Sequence, residues 1–382
     1  MKFTVFALGV IVIAASSLSS HHHAVRAALP ALYKQSTASK AAITCVAGLM
    51  AETPFDDDCK KVFGPDGIQA VTSITLDALY FDFTDPDPLK VILSSPEMTV
   101  GVTSFPGFTL NLTDSRQYVT LIDNNVEIAT YDTPWVKGTM NGNNFITTIG
   151  KSVVNVIPER TKEFSAFIAA LVVNPSHTFI LRGTADVNLT ITGAVPGTDF
   201  GGIGGFVPKL TSPPLSVPGI AFSSEVTLKG FNNFPKIDYI KEEAHSNNDD
   251  GSFDITSRIN IHNPSQLGVK LGDVYFKTFD DKLEIGITSM KGLELKRGDN
   301  EITVVTNAAS AEIYQRVYQT GGTFSFQGFD KSSETNNILA AGLAPLRTTC
   351  KVPALKQFDA SAPAPAPAPA PALAGPASPI IT

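Results

Sequence analysis

The chain has 382 residues, 17% of them charged and 43% apolar, and a net charge of −7. At roughly 100 to 200 residues per domain this length suggests two domains plus tails, and the apolar fraction argues against disorder. A balance of 29 basic against 36 acidic residues, without a Lys/Arg cluster, lacks the cationic footprint that phosphate backbones need, so nucleic acid is excluded as a partner.

Lys2 precedes an apolar core from Val5 to Ala15, followed by Ser16 to Ser20 and small residues around Ala24 and Ala27. This pattern predicts a secretory signal peptide over residues 1–27, with cleavage after Ala27 or near Ser17. A membrane span takes about 20 apolar residues, so the mature chain is expected to carry no transmembrane anchor. His21, His22 and His23 read as a polar leader flank rather than a metal tract, because a flexible triplet has no neighbours to orient ligands. A helical and loop segment is expected over residues 28–69.

Three cysteines, Cys45, Cys59 and Cys350, allow one disulfide and one spare thiol in an exported chain. Cys45 with Cys59 is the first choice, and a bridge from either to Cys350 is the alternative. No CxxC or Cys/His spacing points to zinc or thioredoxin-like chemistry. Asn111-Leu112-Thr113 and Asn188-Leu189-Thr190 are sequons, which makes Asn111 and Asn188 candidate glycosylation sites.

Between residues 70 and 330 the dominant signal is period-two alternation. Ile74 and Leu76, Leu79, Phe81 and Phe83, Met98, Val100 and Val102, and Phe108, Leu110 and Leu112 read as half-buried strands. In the second half the same holds for Ile220, Phe222, Val226 and Leu228, for Ile255, Ile259 and Ile261, for Val269 and Leu271, and for Leu283, Ile285 and Ile287. Turn clusters such as Asp85-Pro86-Asp87-Pro88 separate these runs, since Pro removes ladder donors and Asp bonds the local backbone. One helix interrupts them. Phe164, Phe167, Ile168, Leu171 and Val172 form its stripe, Glu159 and Glu163 lie near its positive end, and Asn174-Pro175 stops it. Its apolar width predicts packing on its own sheet rather than a lid.

The halves repeat. Lys137-Gly138 followed by Asn143-Asn144-Phe145-Ile146-Thr147 parallels Lys291-Gly292 followed by Asp299-Asn300-Glu301-Ile302-Thr303, and the strand Thr178 to Gly183 parallels Thr323 to Gly328. The order predicts two β-sandwich modules, 70–195 and 219–330, joined by a Gly/Pro-rich link over 196–218. A C-terminal segment over 331–356 leads into an Ala/Pro tail over 357–382, which reads as a polyproline II spacer or a disordered tail. The tail lacks the terminal apolar run of a lipid-anchor signal.

Ile259 to Ser265, with Asn263-Pro264 at its centre, then Leu267 to Phe276, Leu283 to Gly286 and Gly298-Asp299-Asn300 resemble the late embryogenesis abundant type-2 (LEA type-2, water-stress) domain. The two-module form with a leader is most similar to a fungal family of unknown function found in secreted, vacuolar or membrane-associated proteins. The resemblance implies a mainly β fold: two tandem LEA type-2-like antiparallel β-sandwich modules with a few short helices. It places Asp87-Pro88 in the first module where Asn263-Pro264 stands in the second. Asn263-Pro264 itself reads as a strand terminator.

No catalytic constellation emerges. There is no G-x-S-x-G elbow, and the dispersed His177, His245 and His262 argue against a triad. Gly201 to Gly205 lacks the Lys of a phosphate loop and reads as a hinge. Ser246 to Gly251 fails as a calcium loop because Ser257 stands where a Glu is required, and Asp56-Asp57-Asp58 reads as a solvated acidic loop. No cofactor or metal is expected. The expected protein is a non-catalytic exported one, secreted, extracellular or in the cell wall, with the vacuole as the alternative destination. Wall polymers, other surface proteins or lipid are its candidate partners. A carrier of apolar ligands is the alternative function, and a secreted hydrolase is the least favoured, because carboxylate pairs have no sequence spacing to recognise.

Overall fold

The computed structural model describes residues 41–354 except 43, 47, 50–53, 64–66, 106–107 and 195–208. The expected leader, most of the link and the Ala/Pro tail lie outside the described residues. A short helix, α1 (Asp57–Val62), is capped by Asp56, whose side chain accepts from the Cys59 N–H. The first unit follows as β1 (Val71–Asp82), β2 (Lys90–Val102), β3 (Phe108–Asp123), β4 (Val126–Asp132), β5 (Val136–Asn141), β6 (Asn144–Val156), α2 (Thr161–Val173), β7 (Ser176–Ala194), β8 (Lys209–Thr211) and β9 (Leu215–Lys229). The second comprises β10 (Ile237–Asn247), β11 (Phe253–Asn263), β12 (Leu267–Asp280), β13 (Leu283–Leu295), β14 (Gly298–Ala308), α3 (Ala311–Thr320), β15 (Gly322–Gln327), α4 (Asn337–Leu343) and β16 (Arg347–Val352).

The second unit is a closed barrel rather than a sandwich. Its ladder runs β12-β13-β14-β11-β10-β16-β15 and returns to β12, the closing step being a parallel pairing of Ile237 and Asp238 with Cys350 and Lys351. Sandwich and barrel share the same in/out alternation along each strand, so the period cannot separate them. The first unit repeats the order with β1-β2-β6, then β4 and β5 as one broken strand, then β3-β7-β9. Its last strand returns alongside β1 without a ladder. The paired landmarks therefore occupy matching strands: Lys137-Gly138 and Lys291-Gly292 lie on β5 and β13, and Asn144 and Asn300 lie near the starts of β6 and β14.

Several expected boundaries move. β8 and β9 pair with β7, so residues 209–229 complete the first unit instead of belonging to the link or opening the second module. Residues 331–356, set apart in the sequence reading, contain α4 and the closing strand β16. Asn263-Pro264 stands in the β11–β12 connection, whose counterpart by strand order is the β2–β3 connection. Asp87-Pro88 instead lies between β1 and β2 and is not its equivalent. Asn263 is buried and bridges the turn, donating from Nδ2 to the Leu267 carbonyl at 2.7 Å and accepting the Ser265 N–H at 2.9 Å. On β13, Leu283 and Ile287 are exposed while Ile285 is buried. A register shift between Thr278/Gly286 and Phe279/Glu284 turns the strand over there, as an extra unpaired residue does.

A four-residue parallel seam joins the units, Leu79 to Asp82 on β1 against Leu267 to Lys270 on β12. The Gln266 side chain donates to the Leu76 carbonyl across it. The α2 stripe is buried as its spacing predicts. As expected it packs on its own unit's sheet, Phe167 meeting Phe179 of β7 edge-on, but its cover extends further, to Phe81 and Phe83 and to Phe231, Phe234, Leu339 and Leu343 between the units. Gly342 of α4 makes that approach possible, since a Cβ there would lie 2.5 Å from the Ile168 side chain.

Candidate functional site

The sequence-predicted site residues fall in three places. Cys45 and Cys59 are bridged, with their Cα atoms 5.7 Å apart. The bridge anchors a cap in which Val46, Leu49, Phe55 and Phe63 lie over apolar residues of β3, β7 and β9. Cys350 is unbridged and faces the second barrel's interior beside Tyr239, Ser257, Phe324 and Phe326. Burial, helped by nearby Asp238, pushes its thiol up to about 12, so at neutral pH it stays protonated and is no nucleophile. Asn111 is exposed on β3 and Asn188 half-buried on β7.

The histidines serve local pairs. His177 Nε2 lies 2.8 Å from Asp123 Oδ1, with its ring edge-on to Phe167. His262 Nδ1 sits 2.8 Å from Asp299 Oδ1, an oxygen that also accepts from Asn260, and these bonds hold the Asp299 carboxyl below its ordinary range. His245 lies 2.8 Å from Glu242 and stacks on Phe253. A nucleophilic site needs a hydroxyl or thiol bonded to the base. Among the described residues the bonds of His177 and His262 run to carboxylates. No three His, Cys, Asp or Glu side chains among them could hold a metal ion.

The interior is closely filled. The first unit holds an apolar cavity of about 60 Å³ around Val100, Phe145 and Phe222, and another of about 60 Å³ under the cap. About 30 Å³ lies between the units and about 20 Å³ inside the second barrel. A drug-sized ligand occupies a pocket of roughly 300 to 1,000 Å³. An open surface groove of about 440 Å³ runs between α2 and α4 past Ala166, Ala169 and Ala341.

The outer face of β3 and β7 carries the most distinctive chemistry. Alternation and register bring Arg116 opposite Asp186, and their side chains pair at 2.7 Å. Asp186 is fixed in turn by the Gly219 N–H at 2.9 Å. The guanidinium lies 5.0 Å from the Tyr118 ring centroid and 5.4 Å from that of Trp135, the chain's single tryptophan. Trp135 sits in the break between β4 and β5, beside Val136, which pairs with Ser115. It is 43% exposed and Tyr118 36%, so an arginine stacked on two rings forms a fixed platform open to solvent. The hydrogen bond to Asp186 raises the Arg116 pKa further. Asn188, opposite Asp114, and Asn111, opposite Thr190, lie on this same face. Sequence reading did not find the platform, although the alternation Arg116-x-Tyr118 puts both side chains on one side of a strand.

A family described as "Protein of unknown function (DUF3712)" matches residues 133–278, a stretch that runs from the end of β4 into β12 and so crosses both units. No curated protein matches. Among solved structures, the partial N-terminal region of an enterococcal surface protein is similar over 75% of this chain and 95% of its own at 9% identity, with a TM-score of 0.13, too low a value to bear on fold or function. No described helix is long and apolar enough to cross a membrane. The chain is a mainly β protein carrying a stretch similar to a domain family of unknown function.

Proposed function

We propose that this is a non-catalytic exported protein of the cell surface or wall, a rigid pair of LEA type-2-like β units with a structural or binding role, the Ala/Pro tail acting as spacer. The Cys45–Cys59 bridge carries the reading, because structural disulfides persist in oxidising compartments and are rare in the cytosol. The local pairing of the histidines and the raised thiol of Cys350 support a non-catalytic role. The repeated strand order supports kinship of the two units with each other. Carriage of an apolar ligand such as lipid is the weaker reading, since the four internal cavities described above, among the described residues, are far below ligand size.

Fractionating the native host tests this. The protein is expected in medium or wall fractions, shortened at its N-terminus, and recovery from the cytosol at full length would overturn export. Vacuolar recovery would keep the secretory route but change the destination. Native mass spectrometry of the same material, with organic extraction, should find it empty. A stoichiometric apolar ligand would replace the structural role with the carrier.

A further inference from the structure

We infer that Asn188 carries an N-linked glycan whose inner N-acetylglucosamine units lie on the Arg116, Tyr118 and Trp135 platform of the same chain. The inference rests on the proposed entry into the secretory route. In the β3–β7 ladder Arg116 faces Asp186 directly, and Asn188 is the next outward residue of β7 on the side of Asp114. That makes Asn188 a diagonal neighbour of Arg116, with backbones about 7–8 Å apart. Val187 and Leu189 point into the first unit, which turns the intervening Asn188 outward. Asn111 faces Thr190, further along the ladder from Arg116. Of the two sequons, Asn188 is the one whose first sugar starts within reach of the rings.

The platform suits that occupant. Its rings are held before any ligand arrives, through the guanidinium and its pairing with Asp186. The positive charge is already matched by that carboxylate, so a neutral ligand fits better than an anionic one. The apolar C–H face of a pyranose stacks on such rings, and its hydroxyl and acetamide groups can meet the polar edge formed by Asp114, Thr184 and Asp186. Attachment itself is conventional group transfer: the Asn188 side-chain nitrogen bonds to C1 of the sugar of a lipid pyrophosphate-linked oligosaccharide. The bond from C1 to the pyrophosphate oxygen breaks, the lipid pyrophosphate leaves, and the amide gives up one proton.

Because Trp135 is the sole tryptophan, its fluorescence reports on the platform alone. Glycopeptide mass spectrometry of the secreted protein should find Asn188 occupied. Enzymatic removal of the glycans under native conditions should then shift the Trp135 emission to the red and raise its quenching by acrylamide. Asn188→Gln and Thr190→Ala should each reproduce the stripped spectrum, while Asn111→Gln should keep the native one. A secreted protein with bare Asn188 would overturn the inference and leave export standing. So would an occupied Asn188 with Trp135 equally quenched before and after sugar removal. Cytosolic protein without glycan would instead locate the failure in the export reading.

Discussion

The two units share one strand order and close in different ways. In the second, a two-residue parallel ladder between β10 and β16 completes the ring, and its interior holds a chain of hydroxyls, Thr278 to Thr288 at 2.6 Å and Thr288 to Thr306 at 2.8 Å, all buried. In the first, β9 returns beside β1 without a ladder, and the disulfide-anchored cap with its apolar side chains covers the strand ends. Backbone bonds close one unit and side-chain burial the other. The same topology therefore closes through a backbone ladder in one unit and through apolar packing plus a covalent staple in the other.

That contrast can be broken at the first unit's core. Phe145→Ala removes a fully buried ring beside an existing cavity and should cost about 3–5 kcal/mol, read as lost amide protection in β2, β3 and β6 with β10 to β16 retained. If protection falls equally in both units, the two interiors are one cooperative core. Cys45→Ala opens a bridge between residues 14 apart and should destabilise the first unit by about 3 kcal/mol. Hydrogen exchange that leaves β9 and α1 untouched would show that the cap does not hold the closure of β9 beside β1.

The second unit answers to a polar change. Thr288→Val keeps the shape but leaves the Thr278 and Thr306 hydroxyls without their shared partner, at a cost of about 1–3 kcal/mol. Chemical denaturation followed by barrel-specific amides checks it, and no loss would mean the threonine chain is dispensable. The smallest effect is on acid sensitivity at the rim. Lys291 and the Gly292 N–H hold Asp273 below its ordinary 3.8, and His262 with Asn260 does the same for Asp299. A carboxyl lowered by folding stabilises the protein above its unfolded value and loses that contribution as pH falls through the folded one. Protection at the ends of β13 and β14 should thus hold down to about pH 4 and decline below it. An unchanged profile to pH 3 would assign these exposed pairs no net role.

What could be read in advance is what local chemistry decides. The α2 stripe, the alternating strands and the nearby Cys45 and Cys59 follow from spacing, and so does the Asp87 turn, where Asp85 and Asp87 bond backbone N–H groups two residues on. Partner choice was not legible. Nothing in Leu215 to Lys229 says that it pairs with β7 rather than opening the next unit, and nothing in Arg347 to Val352 says that it closes a ring, because both are long-range pairings. The face inversion at Ile285 depends on a bulge set by the neighbouring strand. The platform is illegible in the sequence for the same reason: Trp135, Arg116 and Asp186 come from three chain segments and meet only through register.

The seam between β1 and β12 also has a consequence for biosynthesis. β1 is made early and its outer edge finds its partner only when Leu267 to Lys270 has been translated. At ~5–20 residues per second that edge waits on the order of ten to forty seconds, long after β2 has covered its other side. An unpaired strand edge is a template for neighbouring chains. Nascent chains spaced closely along one message would therefore be most exposed to misassembly at Leu79 to Asp82, and a chaperone that engages this protein during translation would have its strongest reason to bind there.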